Sequence, residues 1–185
     1  ATENKAKKIT DNPVWVKGVG AANDKAFTGF RLPTDKLGKY GDIADLRSHY
    51  AAAEAAYRMA GITSPIHQLD LAEIHDAFSF TELQAYEAMR FCPPGGAGKF
   101  IDEGIPEREG ELPCTVSGGL IGCGHAVGAT GIMQTGEVVM QLREEAGKKQ
   151  VPIKRGSGLV HSIGGPGSCY CTVAILGKDN ETVGK

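Results

Sequence analysis

The chain is short of several features that would place it quickly. No uninterrupted apolar run approaches the roughly 20 residues that a membrane helix needs, so a helical membrane protein is not expected. The opening ATENKAKKIT is polar and lysine-rich, without the apolar centre of a secretory signal. Charge of one sign is also missing. Twenty basic against 22 acidic side chains leave a formal net charge of -2, which removes any broad electrostatic case for nucleic acid or an anionic membrane. The five cysteines (Cys92, Cys114, Cys123, Cys169 and Cys171) are odd in number and irregular in spacing, so neither a disulfide framework nor paired zinc-ligand loops can be read from them. Free thiols, no metal and a cytoplasmic location are the expectations, with an organelle matrix not distinguished from cytosol.

What is abundant is glycine, 26 of 185 residues, about twice the average usage of roughly 7%. No Gly-X-Y period accompanies it, which excludes collagen. In a globular chain, such an excess marks turns at positive φ or backbone brought close to a ligand. With 41% hydrophobic and 23% charged residues the chain is not a disordered one, and its length suits a single domain with a sizeable core.

Residues 13–20 (PVWVKGVG) predict a strand, and a loop rich in Gly, Pro and charge follows to about Asp42. The alanine-rich run 43–60 places Leu46, Tyr50, Ala53, Tyr57 and Ala60 at helical spacing, and Gly61 and Pro65 end it. Residues 69–74 (LDLAEI) read as a short strand running into His75-Asp76-Ala77-Phe78. Ser79 and Glu82 fit a capping box for the next helix, which stops at Pro93-Pro94. A charged stretch to Pro113 reads as a surface excursion. A glycine-rich segment, 117–131, precedes a helical pattern over 132–146. Two β-rich runs, 157–163 and 169–176, form a hairpin expected at the centre of a sheet. The order β-α-β-α-(loop)-α-β-β favours an α/β sheet covered by helices.

Three loops carry candidate chemistry. His75 stands where a strand meets a helix start, the place at which open α/β sheets collect ligands; it could donate to an oxyanion, or simply cap the helix. His125 lies in G-G-L-I-G-C-G-H-A-V-G-A-T-G, where flanking glycines let a substrate reach backbone and imidazole together, unless the segment is only a tight turn. No G-K-[ST] follows, so it is not a phosphate-binding P-loop, and the dinucleotide fingerprint also fails. His161-Ser-Ile-Gly164-Gly165-Pro-Gly could form an anion-binding nest, or a hairpin turn needing positive φ. Cys123, two residues before His125, is a candidate reactive thiol. Cys169 and Cys171 share a strand face by the period of two.

His75-Asp-Ala-Phe78, Gly118-Gly119, Gly124-His125-x-x-Gly-Ala-Thr-Gly131 and His161-Ser-x-Gly-Gly165, in that order, resemble the C-terminal half of thiolases. The resemblance covers residues 13–178, leaving 1–12 as an extension and 179–185 as a tail. Its H-D-x-F element is similar to that of the sterol-carrier-protein-type and archaeal acetoacetyl-CoA thiolases rather than to N-E-A-F. It implies the βαβαβαββ half of a two-half fold, a mixed sheet with helices on both faces. It also implies Claisen condensation or thiolysis of coenzyme A thioesters, with the thioester as substrate and no permanently bound cofactor.

By position, the resemblance makes His125 the group that activates the nucleophile and His75 a holder of the enolate oxygen. Gly164 becomes a backbone donor to the thioester oxygen. Phe78 becomes a wall of the acyl or pantetheine pocket, with Gly124, Ser162 and Gly165 against the substrate. The acylated cysteine belongs to an N-terminal half or separate subunit. Three departures stand out: Ala126 replaces the usual proline, Ser162 the C-x-G cysteine, and Ala77 the cysteine of H-D-C-F. His161, His75 and Cys123, in that order, are left as proton-transfer candidates. The resemblance further implies a homo- or hetero-oligomer and a zinc-ribbon/OB-fold partner. Competing readings are a β-ketoacyl-synthase-like condensing protein and a non-catalytic scaffold subunit.

Overall fold

The computed structural model describes residues 1–26 and 46–179. The expected loop from 27 to 45, the first residues of the 43–60 helix and the tail beyond Asp179 lie outside the described residues. Four strands, β1 (Trp15–Asn23), β2 (Leu71–Glu73), β3 (Ser157–Gly164) and β4 (Tyr170–Gly177), form one mixed sheet in the order β1-β4-β3-β2. β4 runs antiparallel to both neighbours, and β2 runs parallel to β3. The hairpin is central, as its apolar sequence predicts. Beyond β2 a single parallel bridge joins Ala72 to Cys114: the Ala72 N–H donates to the Pro113 carbonyl at 2.9 Å, and the Thr115 N–H to the Ala72 carbonyl at 2.8 Å. The third strand of the βαβαβαββ order is thus reduced to one bridge among the described residues.

Strand alternation divides the interior into two cores. Ala72, Leu159, Val173 and Ile175 face α2 (Arg47–Ala60), α4 (Ser79–Ala88) and α5 (Ala97–Asp102). Their neighbours Leu71, Val160 and Leu176 face α7 (Thr130–Arg143), where Val138 and Leu142 meet them. Helices therefore cover both faces, and every central strand has apolar residues on both sides.

α2 lies unusually close to the sheet. Its inner face is Ala52, Ala53, Ala56 and Ala60, and opposite it β1 offers Gly18 and Gly20. A Cβ at either glycine would collide with the carbonyl oxygen of Ala56 or Ala52. Gly61, at φ 73°, ends the helix in the left-handed conformation, and the Ile62 N–H returns to the Tyr57 carbonyl.

Three local expectations need correction. Leu46, Ala53, Tyr57 and Ala60 are buried as their spacing predicts, but Tyr50 is 49% exposed, and its neighbour His49 is fully buried in its place. Ser79 makes no cap; Thr81 does, its hydroxyl accepting from the Phe78 N–H at 3.3 Å and donating to the Phe78 carbonyl at 2.6 Å. Glu82 instead accepts from the Tyr86 hydroxyl. The 94–113 segment is not a surface excursion: Ala97, Phe100 and Leu112 are buried, and the Phe100 ring packs 4.9 Å from that of Tyr86. The opening segment 1–12 contains a helix, α1 (Glu3–Ile9), which buries nothing.

Two carboxylates at the end of β2 tie down the glycine-rich segment that follows it in space. Glu73 accepts from the Ser117 N–H at 3.0 Å and the Ser117 hydroxyl at 2.7 Å. Asp76 accepts from the Leu120 N–H at 2.7 Å, the first turn of α6 (Gly119–Cys123). Gly119, at φ 62°, leaves no room for a side chain against the Asp76 carboxylate. Burial pushes the Glu73 carboxyl up to about 7, against the lowering effect of the Ser117 bonds and with further raising by Glu137 and Asp76.

Two predictions follow from this packing. Gly20→Val should lower unfolding free energy by at least about 1–3 kcal/mol in urea titrations, the usual range for overpacking; an unchanged midpoint would contradict the close approach of α2. For Glu73 the folded value lies above the unfolded one, so its contribution is greatest below pH 4.5 and is lost as pH rises toward 7. Glu73→Gln removes that loss. Its stability relative to the parent should therefore climb by about 3 kcal/mol between those limits. Parallel profiles would show that the carboxyl titrates normally.

Candidate active site

β2 and β3 run in the same direction, so their carboxyl ends open at one edge of the sheet, where α/β proteins place ligands. A cavity of about 610 Å³ lies there, and the two sequence motifs carrying His75 and His125 meet in it. Its remaining wall includes Phe78, Phe80, Val127, Ile163, Gly164 and Gly165. The lining is mainly apolar with a few convergent polar groups, the usual character of a small-molecule site.

The His75 and His125 rings stand edge to face, centroids 4.9 Å apart. His75 follows β2 directly, and its Nδ1 is buried without a hydrogen-bond partner among the described residues. Burial first, and then the neighbouring His125, lower its pKa to about 4, against a raising effect from Asp76. His75 is therefore a neutral imidazole at physiological pH, able to donate or accept without carrying charge. His125 is exposed toward the cavity, and its Nδ1 lies 2.7 Å from the hydroxyl of the buried Thr130. That contact orients the ring and leaves Nε2 as the nitrogen available for proton transfer.

The loop bearing His125 carries strain. Val127 sits at φ 45°, a region that a β-branched side chain rarely enters, and it is 77% exposed on the cavity wall. Opposite, the β3–β4 turn places Gly165 and Gly167 at positive φ around Pro166, with Gly164 and Gly165 lining the cavity. Phe78 and Phe80 stack with centroids 5.7 Å apart and are both more than half exposed at the rim.

Other predicted residues lie elsewhere. His161 is fully buried behind the wall, one strand step below Ile163, with both ring nitrogens engaged. Ser162 points to the opposite side of β3, toward Gly131 at the start of α7. Gly124 and Cys123 line a separate cavity of about 290 Å³ beside α7, and the Cys123 thiol donates to the Ser117 carbonyl at 2.9 Å. No cysteine lines the main cavity among the described residues.

Sequence reading missed Phe80, Val127 and His49. Phe80 follows the H-D-A-F element closely enough to have been suspected. Val127 signals itself only through its backbone angle. His49 lies in the polar first turn of an alanine-rich helix, and its donor atoms come within 4.8 Å of those of His161 and Cys171 only in three dimensions.

Comparison with known proteins gives the family. The Thiolase C-terminal domain-like family matches residues 31–178. The acetyl-CoA acetyltransferase of Methanothermobacter thermautotrophicus is 39% identical over 164 residues, covering 88% of this chain and 39% of that protein. Human sterol carrier protein 2 is 40% identical over 126 residues, covering 68% of this chain and 22% of that protein. The chain thus spans about two fifths or less of the length of these curated relatives. Among solved structures, the Ltp2-ChsH2(DUF35) aldolase superposes with a TM-score of 0.73 at 23% identity, over 95% of this chain and 42% of that one. With its mixed sheet, its covering helices and its histidine loops meeting at one sheet edge, the chain belongs to the thiolase C-terminal domain-like family.

Proposed function

We propose that the chain is the C-terminal part of a thiolase-type acyl-CoA acyltransferase, with residues 13–178 as its domain. The nucleophilic cysteine would come from an N-terminal half or a separate subunit. The observation that carries this reading is the convergence of His75, His125 and the Gly164–Gly165 turn on one cavity. A carbanion next to a thioester forms only when its enolate oxygen is held by fixed donors in a site that excludes water. Neutral His75 suits that task as an uncharged donor, as do the backbone N–H groups of the turn. His125, held at Nδ1 by Thr130, would take the thiol proton of the incoming cysteine through Nε2. The cysteine sulfur then bonds to the acyl carbon while coenzyme A leaves as thiolate and receives that proton. The coenzyme A thioester is substrate, with no resident cofactor in the scheme.

A complement also has a place to bind. Ile121, Ile132, Met133 and Met140 are exposed along α6 and α7, an apolar band that supports docking of the other half. Further assembly into a homo- or hetero-oligomer, and with a zinc-ribbon/OB-fold partner, is part of the proposal.

A second reading is aldol cleavage of a β-hydroxyacyl-CoA, favoured by the chemistry of the lining. Ala77 and Ser162 stand where the resemblance expects thiols, and no cysteine reaches the cavity among the described residues. Aldol cleavage needs a base and an enolate holder but no acyl-enzyme. The aldolase among the similar folds is consistent with it.

Mass spectrometry of the complete assembly after incubation with acetyl-CoA separates the two. Thiolase action predicts an acylated cysteine on the complement; its absence together with ketone or aldehyde release from a β-hydroxyacyl-CoA selects the aldolase. In either case His125→Ala should lower kcat by about 10²–10⁴-fold, the range for a lost general base, and an unaltered rate removes His125 from the mechanism. His75 should titrate near pH 4 in NMR of histidine-labelled protein, its neutral form persisting above that value. A midpoint at or above 6.5 would mean that it carries charge in the site.

A further inference from the structure

Behind the cavity wall a chain of hydrogen bonds crosses the core. The His75 backbone N–H points at His161 Nδ1 at 3.4 Å. His161 Nε2 lies 3.0 Å from His49 Nδ1. His49 Nε2 lies 3.1 Å from the Ser168 carbonyl oxygen. His49 and His161 are both fully buried, one on α2 and one on β3.

The direction of every bond is determined by the ends. A backbone N–H can only donate, so His161 Nδ1 accepts and the proton of that ring sits on Nε2. His161 Nε2–H then donates to His49 Nδ1, which places the His49 proton on Nε2. That proton meets a carbonyl, which can only accept. Both rings are neutral and each is held in one tautomer. A proton added to either ring would set N–H against N–H. In the same sense, burial first, then His49 and His75, holds His161 well below the usual histidine range.

The two ends of this chain are parts of the site. His75 presents its ring to the cavity, and Ser168 closes the loop that brings Gly164, Gly165 and Gly167 to its wall. Ser168 has φ 60°, a left-handed conformation that a non-glycine residue rarely adopts. The bond from His49 to its carbonyl helps to hold it there.

We propose that His49 is a positioning residue: it fixes the tautomer of His161 and, through Ser168, joins the β3–β4 loop to the end of β2 as one rigid wall. The same atoms invite a metal reading, since the donor atoms of His49, His161 and Cys171 lie within 4.8 Å of one another. Two features weigh against it. A metal on His161 Nε2 would force the proton onto Nδ1, which faces the His75 N–H. Cys171, moreover, is held as a thiol, its pKa raised by burial to about 12. The inference rests on the proposed reaction only for what the wall does to a substrate; the tautomers are independent of it.

The test uses the assembled protein with this chain alone labelled, in one sample with ¹⁵N-histidine, whose five residues keep the ring spectrum simple, and in a second with ¹⁵N-glycine for the loop amides. Long-range ¹H–¹⁵N spectra should show His161 protonated at Nε2 with a bare Nδ1, and His49 likewise. The opposite tautomer at His161 would overturn the proposal. His49→Leu should let His161 exchange tautomers and shift the Gly165 and Gly167 amides. His49→Gln, which keeps one acceptor and one donor, should restore both signals. In turnover assays His49→Leu should cost about tenfold or more in kcat with little change in KM, as expected when fixed groups lose alignment, and the glutamine variant should recover most of it. Unchanged amides and kcat in the leucine variant would overturn the positioning role. So would stoichiometric retention of added Zn²⁺ that disappears in Cys171→Ser. A failed acylation assay with the expected tautomers would sink the reaction, not the relay.

Discussion

The attachment of the glycine-rich segment to the end of β2 is the constraint on which the site depends. Glu73 and Asp76 are three residues apart, before and after the point where the strand gives way to H-D-A-F, and they grip backbone groups at Ser117 and Leu120. Between them they set the path of residues 117–120 and hence where His125 arrives. With the Thr130 hydroxyl on its Nδ1, the His125 ring then stands 4.9 Å from that of His75. The aspartate of the motif thus acts as a clamp, while the histidine beside it faces the cavity. Buried carboxylates are costly, and these are tolerated because backbone donors meet them.

A second constraint acts from the other face. The alanines of α2 and the glycines of β1 let a helix settle onto the sheet with little side chain between, which carries His49 deep enough to meet His161. Small residues here serve approach rather than flexibility. The glycine excess therefore has two unrelated causes: close helix–sheet packing at Gly18 and Gly20, and conformational freedom in the loops at Gly119 and Gly165.

Much of the fold was legible because alternation and helical spacing report directly on faces. The central hairpin and the alanine helix follow from pattern alone, and the helix read over 132–146 is found at 130–143. Phe100 and Leu112 were hidden because two apolar anchors in a charged stretch carry no period. Thr81 replaced Ser79 as the cap because the helix begins at Ser79 rather than after it. In the site, the motifs identified His75, His125, Phe78 and Gly164 as neighbours, and the geometry places them on one cavity. His161 stood as a proton-transfer candidate and His49 went unread for a common reason: sequence does not tell whether a histidine's ring nitrogens are spent on buried partners.

The histidine relay has an electrical consequence. A hydrogen-bonded chain conducts protons only if each member can pass one on and turn round, and this chain begins at an amide and ends at a carbonyl. It is an insulator. This route therefore carries no protons between the cavity edge and the interior, and in the proposed reaction a proton taken up by His125 would return to substrate or leave past Phe78, Phe80 and Val127 at the open mouth.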